Sequence, residues 1–189
     1  MCSSFSPLTG TGDLWLALCW DQVLLAFQAM VAIRCTQKLL ARIGAPSPVT
    51  QPTTTLLGDW YARPVSIGHQ RLILLISEHS RLPVIMPGRD VKHLARNFPV
   101  ALARILLELG IGGAAIEREV AATREAVIVK TESRSLLGTL NDFTHMLQWQ
   151  LPDDPGIDLV QASLELSHTP VRPLHPVGFP DRVTRDLLA

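Results

Sequence analysis

Cysteine is scarce in this chain, and none of the spacings that build metal sites or disulfide frameworks is present. Its 3 cysteines, Cys2, Cys19 and Cys35, include no Cys-x-x-Cys pair, and an odd number leaves at least one thiol unpaired. The 6 histidines have no His-Glu-x-x-His or other tight ligand spacing. We therefore predict no metal site and no disulfide framework, as expected for a protein of the reducing cytoplasm.

An excess of charge of either sign is also missing. The 17 basic and 17 acidic residues cancel, so no overall field draws the chain to nucleic acid or to an anionic membrane. Nucleic acid is therefore a partner class that we leave open but do not favour, and homo-oligomer formation is also left open. The chain has 189 residues and is 47% hydrophobic, which excludes intrinsic disorder and supports one domain with a single core.

Sequence motifs of the common catalytic and cofactor-binding sites are lacking. There is no Gly-x-Ser-x-Gly nucleophile elbow, and the glycine-rich run "GIGGAA" has neither the lysine nor the strand-loop-helix context of a phosphate-binding P-loop. We predict no cofactor. These observations alone do not decide whether the protein is an enzyme.

The most apolar segment, "LWLALCWDQVLLAFQAMVAI", could suggest a membrane span. Asp21 lies near its middle, and a charge there costs about 2.5–3.5 kcal/mol on insertion scales. The segment also lacks the basic flank of a signal peptide, because the first basic residue is Arg34. We therefore expect neither a membrane span nor a signal peptide.

We expect instead that residues 1–29 are an extension outside the domain and that translation starts at Met30. A chain that begins at Met30 opens with an ordinary strand, residues 31–35, and continues into a helix capped by Thr36. If the extension is made, its expected form is an apolar helix packed loosely on the domain. The single domain then covers residues 30–189.

The order of strand-like and helix-like segments predicts an α+β fold. The first strand and helix are followed by three strands, at about residues 59–67, 71–77 and 82–86, joined by turns short enough for an antiparallel meander. Two helices follow, the first broken or kinked at Pro99, and then a short buried strand "VIVKT" and further helices. We expect a mixed sheet with helices packed mainly on one face.

The stretch "KTESRSLLGTLNDF", residues 130–143, is chemically the densest part of the chain. A helix from about residue 133 to 151 would bury one apolar stripe and expose a polar band with a notch at Gly138. The stripe contains Leu136, Leu140, Phe143 and Leu147, and the band contains Arg134, Gly138, Asn141, His145 and Gln148. The band can be a solvated face capped by Ser133 or Ser135, or a binding groove; the residues alone favour the solvated face.

Two later stretches carry weaker signals. "HTPVRPLHP", residues 168–176, predicts an extended strap over the domain, because its prolines interrupt any helix or central strand. "LPDDPG" predicts a turn that begins another helix, where Asp153 and Asp154 would complement the dipole.

Four stretches, "IRCTQKLL", "LLGDWYA", "VKTESRSLLGTLNDF" and "HTPVRPL", resemble a family of short bacterial proteins known only as a domain of unknown function. The resemblance covers residues 31–188, and the family pattern begins with a methionine at the place of Met30. It implies signature positions at Arg34, Lys38, Trp60, Tyr61, Lys130, Arg134, Ser135, Gly138, Asn141 and Asp142.

These observations lead to one binding-site hypothesis and two functional interpretations. The candidate ligand-binding residues are Arg34, Lys38, Lys130, Arg134, Ser135, Asn141, Asp142 and His145. The four cations would meet at the ends of adjacent strands and suit a phosphate or carboxylate.

The favoured interpretation is a non-enzymatic binding or regulatory module that recognises a partner protein or an anionic ligand through residues 134–145. The alternative is a small enzyme acting on a phosphate-containing or nucleic-acid substrate. In it Arg134 would clamp the anion, Asn141 would orient it, and Asp142 or His145 would be the acid or base. We favour the first because no nucleophile or metal-ligand set accompanies these residues.

Overall fold

The computed structural model describes residues 31–47, 53–150, 156–172, 174 and 178–189. The predictions for residues 1–30 and for Asp153 and Asp154 lie outside these residues. Within the described part of the chain, no helix combines the length and the apolar composition that a membrane crossing requires.

A five-stranded mixed sheet forms the centre of the described structure, with strand order β4-β3-β2-β1-β5. The strands are β1 (Ala32–Cys35), β2 (Trp60–Ile67), β3 (Gln70–Ser77), β4 (Pro83–Pro87) and β5 (Val127–Lys130). β1 is parallel to both of its neighbours, β2 and β5, whereas β2, β3 and β4 form an antiparallel meander. The predicted α+β class, mixed sheet and meander are confirmed.

Two prolines occupy the places in the sheet where a missing N–H does least harm. Pro83 is the first residue of the edge strand β4. Pro64 lies in β2, which has neighbours on both sides only from Trp60 to Ala62, because β1 ends at Cys35. The second half of β2 is therefore an edge, and Pro64 is tolerated there.

Six helices and one short 3₁₀ helix surround the sheet in the described part of the chain. They are α1 (Gln37–Ile43), the 3₁₀ helix (Gly88–His93), α2 (Leu94–Glu108), α3 (Gly113–Thr123), α4 (Arg134–Gln150), α5 (Leu159–Ser167) and α6 (Pro180–Leu188). The helix does not break at Pro99: α2 starts only at Leu94, so Pro99 falls in its second turn, and the helix continues past it.

The sheet separates two apolar cores, because successive side chains of a strand point to opposite faces. On one face Ile33, Trp60 and Leu75 pack with α1, α2 and α3, and the Trp60 ring meets the Phe98 ring edge-on at 4.8 Å. These three helices are the group that we expected to pack on one face of the sheet. On the other face the buried stripe of α4 packs with Tyr61, Leu74 and Ile76, and α5 contributes to the same core, so both faces are covered.

Candidate functional site

α4 has the amphipathic character that the sequence predicts. Its stripe residues Leu136, Leu140, Phe143 and Leu147 are between 0% and 3% exposed, whereas Arg134, Asn141, His145 and Gln148 are exposed. The helix begins at Arg134, and the Ser133 hydroxyl accepts the N–H of Leu136 at 3.4 Å, so Ser133 is the cap.

A hollow of about 440 Å³ lies between α4 and residues 169–172, and we call it the α4 hollow. Phe143, Met146 and Val171 form its apolar floor. The polar side chains at its rim are Arg134, Ser135, Thr139, Asp142, Thr169 and Arg172. At the notch of Gly138 no atom lies within 4 Å of the place where a Cβ would stand, so a ligand can approach the helix backbone there.

Residues 169–172 are fixed against α4 by contacts at both ends. Thr169 N–H donates to the Leu166 carbonyl at the end of α5, and Val171 N–H donates to the Gly178 carbonyl at 2.9 Å. Val171 and Leu174 are 7% and 8% exposed and belong to the core under α4. The described residues of the predicted strap therefore do lie over the domain, and they form the second wall of the hollow.

The charged side chains around the α4 hollow have no ion-pair partner among the described residues. Arg134, Asp142 and Arg172 are exposed, and none of the three forms an ion pair with another described residue. By contrast, Arg34 forms an ion pair with Asp59 at 2.7 Å, and Arg185 forms one with Asp181 at 2.7 Å. Two free guanidinium groups suit a carboxylate or phosphate, and a nearby carboxylate suits a donor group on the same ligand.

Asn141 and His145 do not belong to the hollow. The guanidinium of Arg63 on β2 donates to the Asn141 side-chain oxygen, so this oxygen already has a partner. His145 is exposed and is not among the residues that line the hollow. Successive helix positions rotate by about 100°, so Asp142 reaches the hollow while Asn141 points away from it. The predicted polar band is thus wider than one site.

The four predicted cations do not converge, and that hypothesis is wrong. Lys130 stands opposite Cys35 in the register of β1 and β5, so its side chain lies on the face of the sheet on which α1 packs. There it lines a separate hollow with Gln37 and Leu40. Arg34 precedes Cys35 in β1 and therefore points to the opposite face, over the Tyr61 ring at 5.9 Å. Strand alternation separates the two side chains, and Lys38 is exposed on α1.

Arg172 is the site residue that sequence reasoning missed. We interpreted its stretch as a strap because of the prolines and gave the arginine no role. The available signal was its place in "HTPVRPL", the fourth stretch of the resemblance. Its proximity to Arg134 could not be inferred from the sequence, because the two residues are far apart in the chain and nothing local indicates that residues 169–172 pack beside Arg134.

Two further observations bear on chemistry. Among the described residues no group of three or more His, Cys, Asp or Glu side chains is placed to hold a metal ion. Burial raises the pKa of Cys35 to about 12, so this thiol is protonated at neutral pH and is a poor nucleophile.

Comparison with known proteins gives one match. Residues 32–183 match the model of a family described as "Domain of unknown function (DUF6933)", which includes the whole sheet, α4 and the described residues of the strap. The resemblance to a family of unknown function is confirmed. No curated protein and no solved structure matches the chain.

Proposed function

We propose that this chain, which belongs to the family described as Domain of unknown function (DUF6933), is a non-enzymatic binding module that takes an organic anion in the α4 hollow. The anion is either a free ligand or a group carried by a partner protein. One observation carries the proposal: Arg134 and Arg172, from two separate segments, line the same hollow without an ion pair to any described residue.

The lining of the hollow defines the chemistry of the ligand. A guanidinium group binds carboxylate or phosphate oxygens with two parallel N–H bonds, which gives direction as well as strength. The floor of Phe143, Met146 and Val171 provides room for an apolar or aromatic part of the ligand. Asp142 accepts a hydrogen bond from a donor group and disfavours a second anionic group near it.

The arrangement supports binding rather than catalysis. The enzyme alternative requires Arg134, Asn141, Asp142 and His145 to converge on one substrate. Only Arg134 and Asp142 line the hollow, while Asn141 is bonded to Arg63. An acid or base must come within hydrogen-bond reach of its proton, and His145 is not among the lining residues.

A thermal-shift screen of the full chain tests the proposal. The probes are benzoate and phenyl phosphate, with benzamide as the uncharged match of benzoate, together with nucleotides, phosphosugars and short oligonucleotides. Arg134→Ala and Arg172→Ala remove one arginine each, and Arg124→Ala removes an exposed arginine that does not line the hollow. We expect an anion to stabilise the parent and Arg124→Ala, and to bind roughly tenfold or more weakly to the other two variants.

Two results would contradict the proposal. One is a screen in which no anion raises the melting temperature above that with benzamide. The other is a stabilising anion whose effect is the same in the parent, Arg134→Ala and Arg172→Ala, because that anion binds elsewhere.

A further inference from the structure

A second hollow, of about 480 Å³, lies beside the edge strand β4, and we call it the β4-edge hollow. Helices of both layers flank β4, because α2 packs on the face of Trp60 and α5 contributes to the core on the face of Tyr61. The walls of the hollow come from β4, the 3₁₀ helix, one side of α2 and the start of α5. Its volume falls in the range of about 300–1,000 Å³ in which proteins bind small molecules.

The free edge of β4 presents a hydrogen-bond acceptor but no free donor. The N–H of Ile85, a residue that lines the hollow, points away from β3 and donates to the Ser163 hydroxyl at 3.0 Å. The Ile85 carbonyl points to the same side, because both backbone groups of a residue face one way in an antiparallel strand. Pro83 and Pro87, two residues before and after Ile85, have no N–H. A partner strand therefore finds no N–H to pair with along residues 83–87, whereas a donor group of a ligand finds an acceptor.

Four charged side chains line the β4-edge hollow, and none of them forms an ion pair with a described residue. Arg89 and Asp90 belong to the 3₁₀ helix, Arg104 belongs to α2, and Asp158 is the residue before α5. Asp158 also has a structural role, because its Oδ1 atom accepts two N–H groups in the first turn of α5, at 2.9 and 3.2 Å. Two cations and two carboxylates thus share one hollow without pairing with each other, which suits a ligand that carries both charges.

The remaining lining is apolar except for one amide. Asn97, Ala101 and Arg104 follow one another on α2 at intervals of four and three residues, so one side of the helix faces the hollow. The buried side chains of Met86 and Ile105 form an apolar floor. The amide of Asn97 can both donate and accept, so it suits a peptide group as well as a charged one. An apolar floor with a few polar groups around it is the usual composition of a small-molecule site.

We propose that the β4-edge hollow binds a small apolar zwitterion, either an amino acid with a large apolar side chain or a dipeptide of such residues. Arg89 and Arg104 bind the carboxylate, since guanidinium groups hold carboxylate oxygens with paired N–H bonds. Asp90 and the Ile85 carbonyl accept from the ammonium group, which has three donors and no acceptor. The proposal does not depend on the proposed function, because no residue lines both hollows.

A thermal-shift series on the full chain tests the ligand class. The probes are leucine, phenylalanine and the dipeptides of these two amino acids. Each probe is compared with its N-acetyl form, which lacks the ammonium group, its amide, which lacks the carboxylate, and its doubly blocked form. We expect at least one zwitterion to raise the melting temperature, and each singly blocked form of it to bind roughly tenfold or more weakly. The free amino acids and the dipeptides together show which length fits.

Two substitutions remove one charge of the hollow each, Arg104→Ala and Asp90→Asn. Arg96→Ala and Glu108→Gln are matched controls, because both residues are exposed on α2 and neither lines the hollow. The stabilising zwitterion should bind the controls as it binds the parent, and the first two variants roughly tenfold or more weakly. The affinity lost on amidation should be smaller in Arg104→Ala than in the parent, because the contact with the carboxylate is already missing. The same holds for acetylation and Asp90→Asn.

Three results would overturn the proposal. The first is a series in which no amino acid or dipeptide stabilises the parent beyond its doubly blocked form. The second is a zwitterion that stabilises Arg104→Ala and Asp90→Asn as much as the parent, or that the two controls weaken equally, because its site then lies elsewhere. The third is a zwitterion whose effect is lost in Arg134→Ala or Arg172→Ala, since that result places it in the α4 hollow.

Discussion

Glu119 on α3 is a buried carboxylate, 3% exposed, whose two oxygens have different surroundings. One accepts the N–H of Leu56 at 2.9 Å, and the other has no hydrogen-bond partner within the described structure. Burial raises the pKa of Glu119 above its ordinary value of 4.5, although backbone N–H groups and the nearby Arg118 and His79 oppose the rise. The folded protein therefore holds this proton more tightly than the unfolded chain does.

A raised carboxyl pKa destabilises the folded state as the pH increases. The stabilisation by the protonated form is complete below 4.5, the ordinary pKa, and is lost as the pH rises through the higher pKa of the folded state. Glu119→Gln keeps an oxygen for Leu56 and removes the charge. We expect its melting temperature, relative to the parent, to increase with pH above this value. Exposed Glu117→Gln is the control, and parallel pH curves for parent and Glu119→Gln would contradict the prediction.

Gly58, in the "LLGDWYA" stretch, has a backbone that other residues adopt only with strain. Its φ is +76°, and an added Cβ would lie 2.9 Å from the Cβ of Glu78 and 3.1 Å from the His79 ring. Gly110 has the same φ of +76° with no atom within 4 Å of that position. Alanine substitutions at Gly110 and Gly58 can therefore be compared. The first measures the cost of the left-handed backbone alone, and the second adds the cost of steric overlap.

We expect Gly110→Ala to lower the free energy of unfolding by about 1–2 kcal/mol, the cost of a left-handed backbone. Gly58→Ala should lower it further, by roughly 1–3 kcal/mol, because the methyl group overlaps its neighbours. Urea unfolding of the two variants measures the difference. Equal losses would show that Glu78 and His79 move aside without cost.

At the scale of the element, Gly138 lies within α4 at a place where a glycine weakens the helix. No neighbour would contact a Cβ there, so Gly138→Ala should raise the free energy of unfolding by roughly 0.5–1 kcal/mol. Gly138→Leu should fold as well as the parent but project into the α4 hollow and weaken binding of the anion. If Gly138→Leu binds the anion as tightly as the parent, the ligand does not approach the helix at this notch.

The elements themselves follow closely from the sequence. The three strands of the meander lie within one residue or so of their predicted bounds, because polar turns separate runs of strong β-formers. α4 was predicted at about 133–151 and is found at Arg134–Gln150, because its apolar period is regular. Local pattern is sufficient wherever one face of an element is buried.

The candidate site follows less completely, for a physical reason. Arg134, Ser135 and Asp142 were predicted and do line one hollow, since they share a helix. Arg172 comes from a distant segment, and Arg34 and Lys130 were grouped although strand alternation places them on opposite faces. Contacts between elements depend on register and on the face to which each connection turns, and a single sequence states neither.

At the scale of the whole molecule, the proposed site is built from segments that are far apart in the chain. α4 forms one wall of the α4 hollow, and residues 169–172 form the other. The apolar stripe of α4 belongs to the same core as Val171 and Leu174, on one face of the sheet. This shared core holds the two walls of the hollow next to each other.

The most direct measurement is a double-mutant cycle on Arg134 and Arg172, using calorimetric titration of benzoate or phenyl phosphate, whichever stabilises the parent more. If both arginines bind the same anion, the loss in Arg134→Ala/Arg172→Ala should differ from the sum of the single losses by at least about 0.5 kcal/mol. Strictly additive losses, or an affinity that neither substitution changes, would contradict a shared anion site in the α4 hollow.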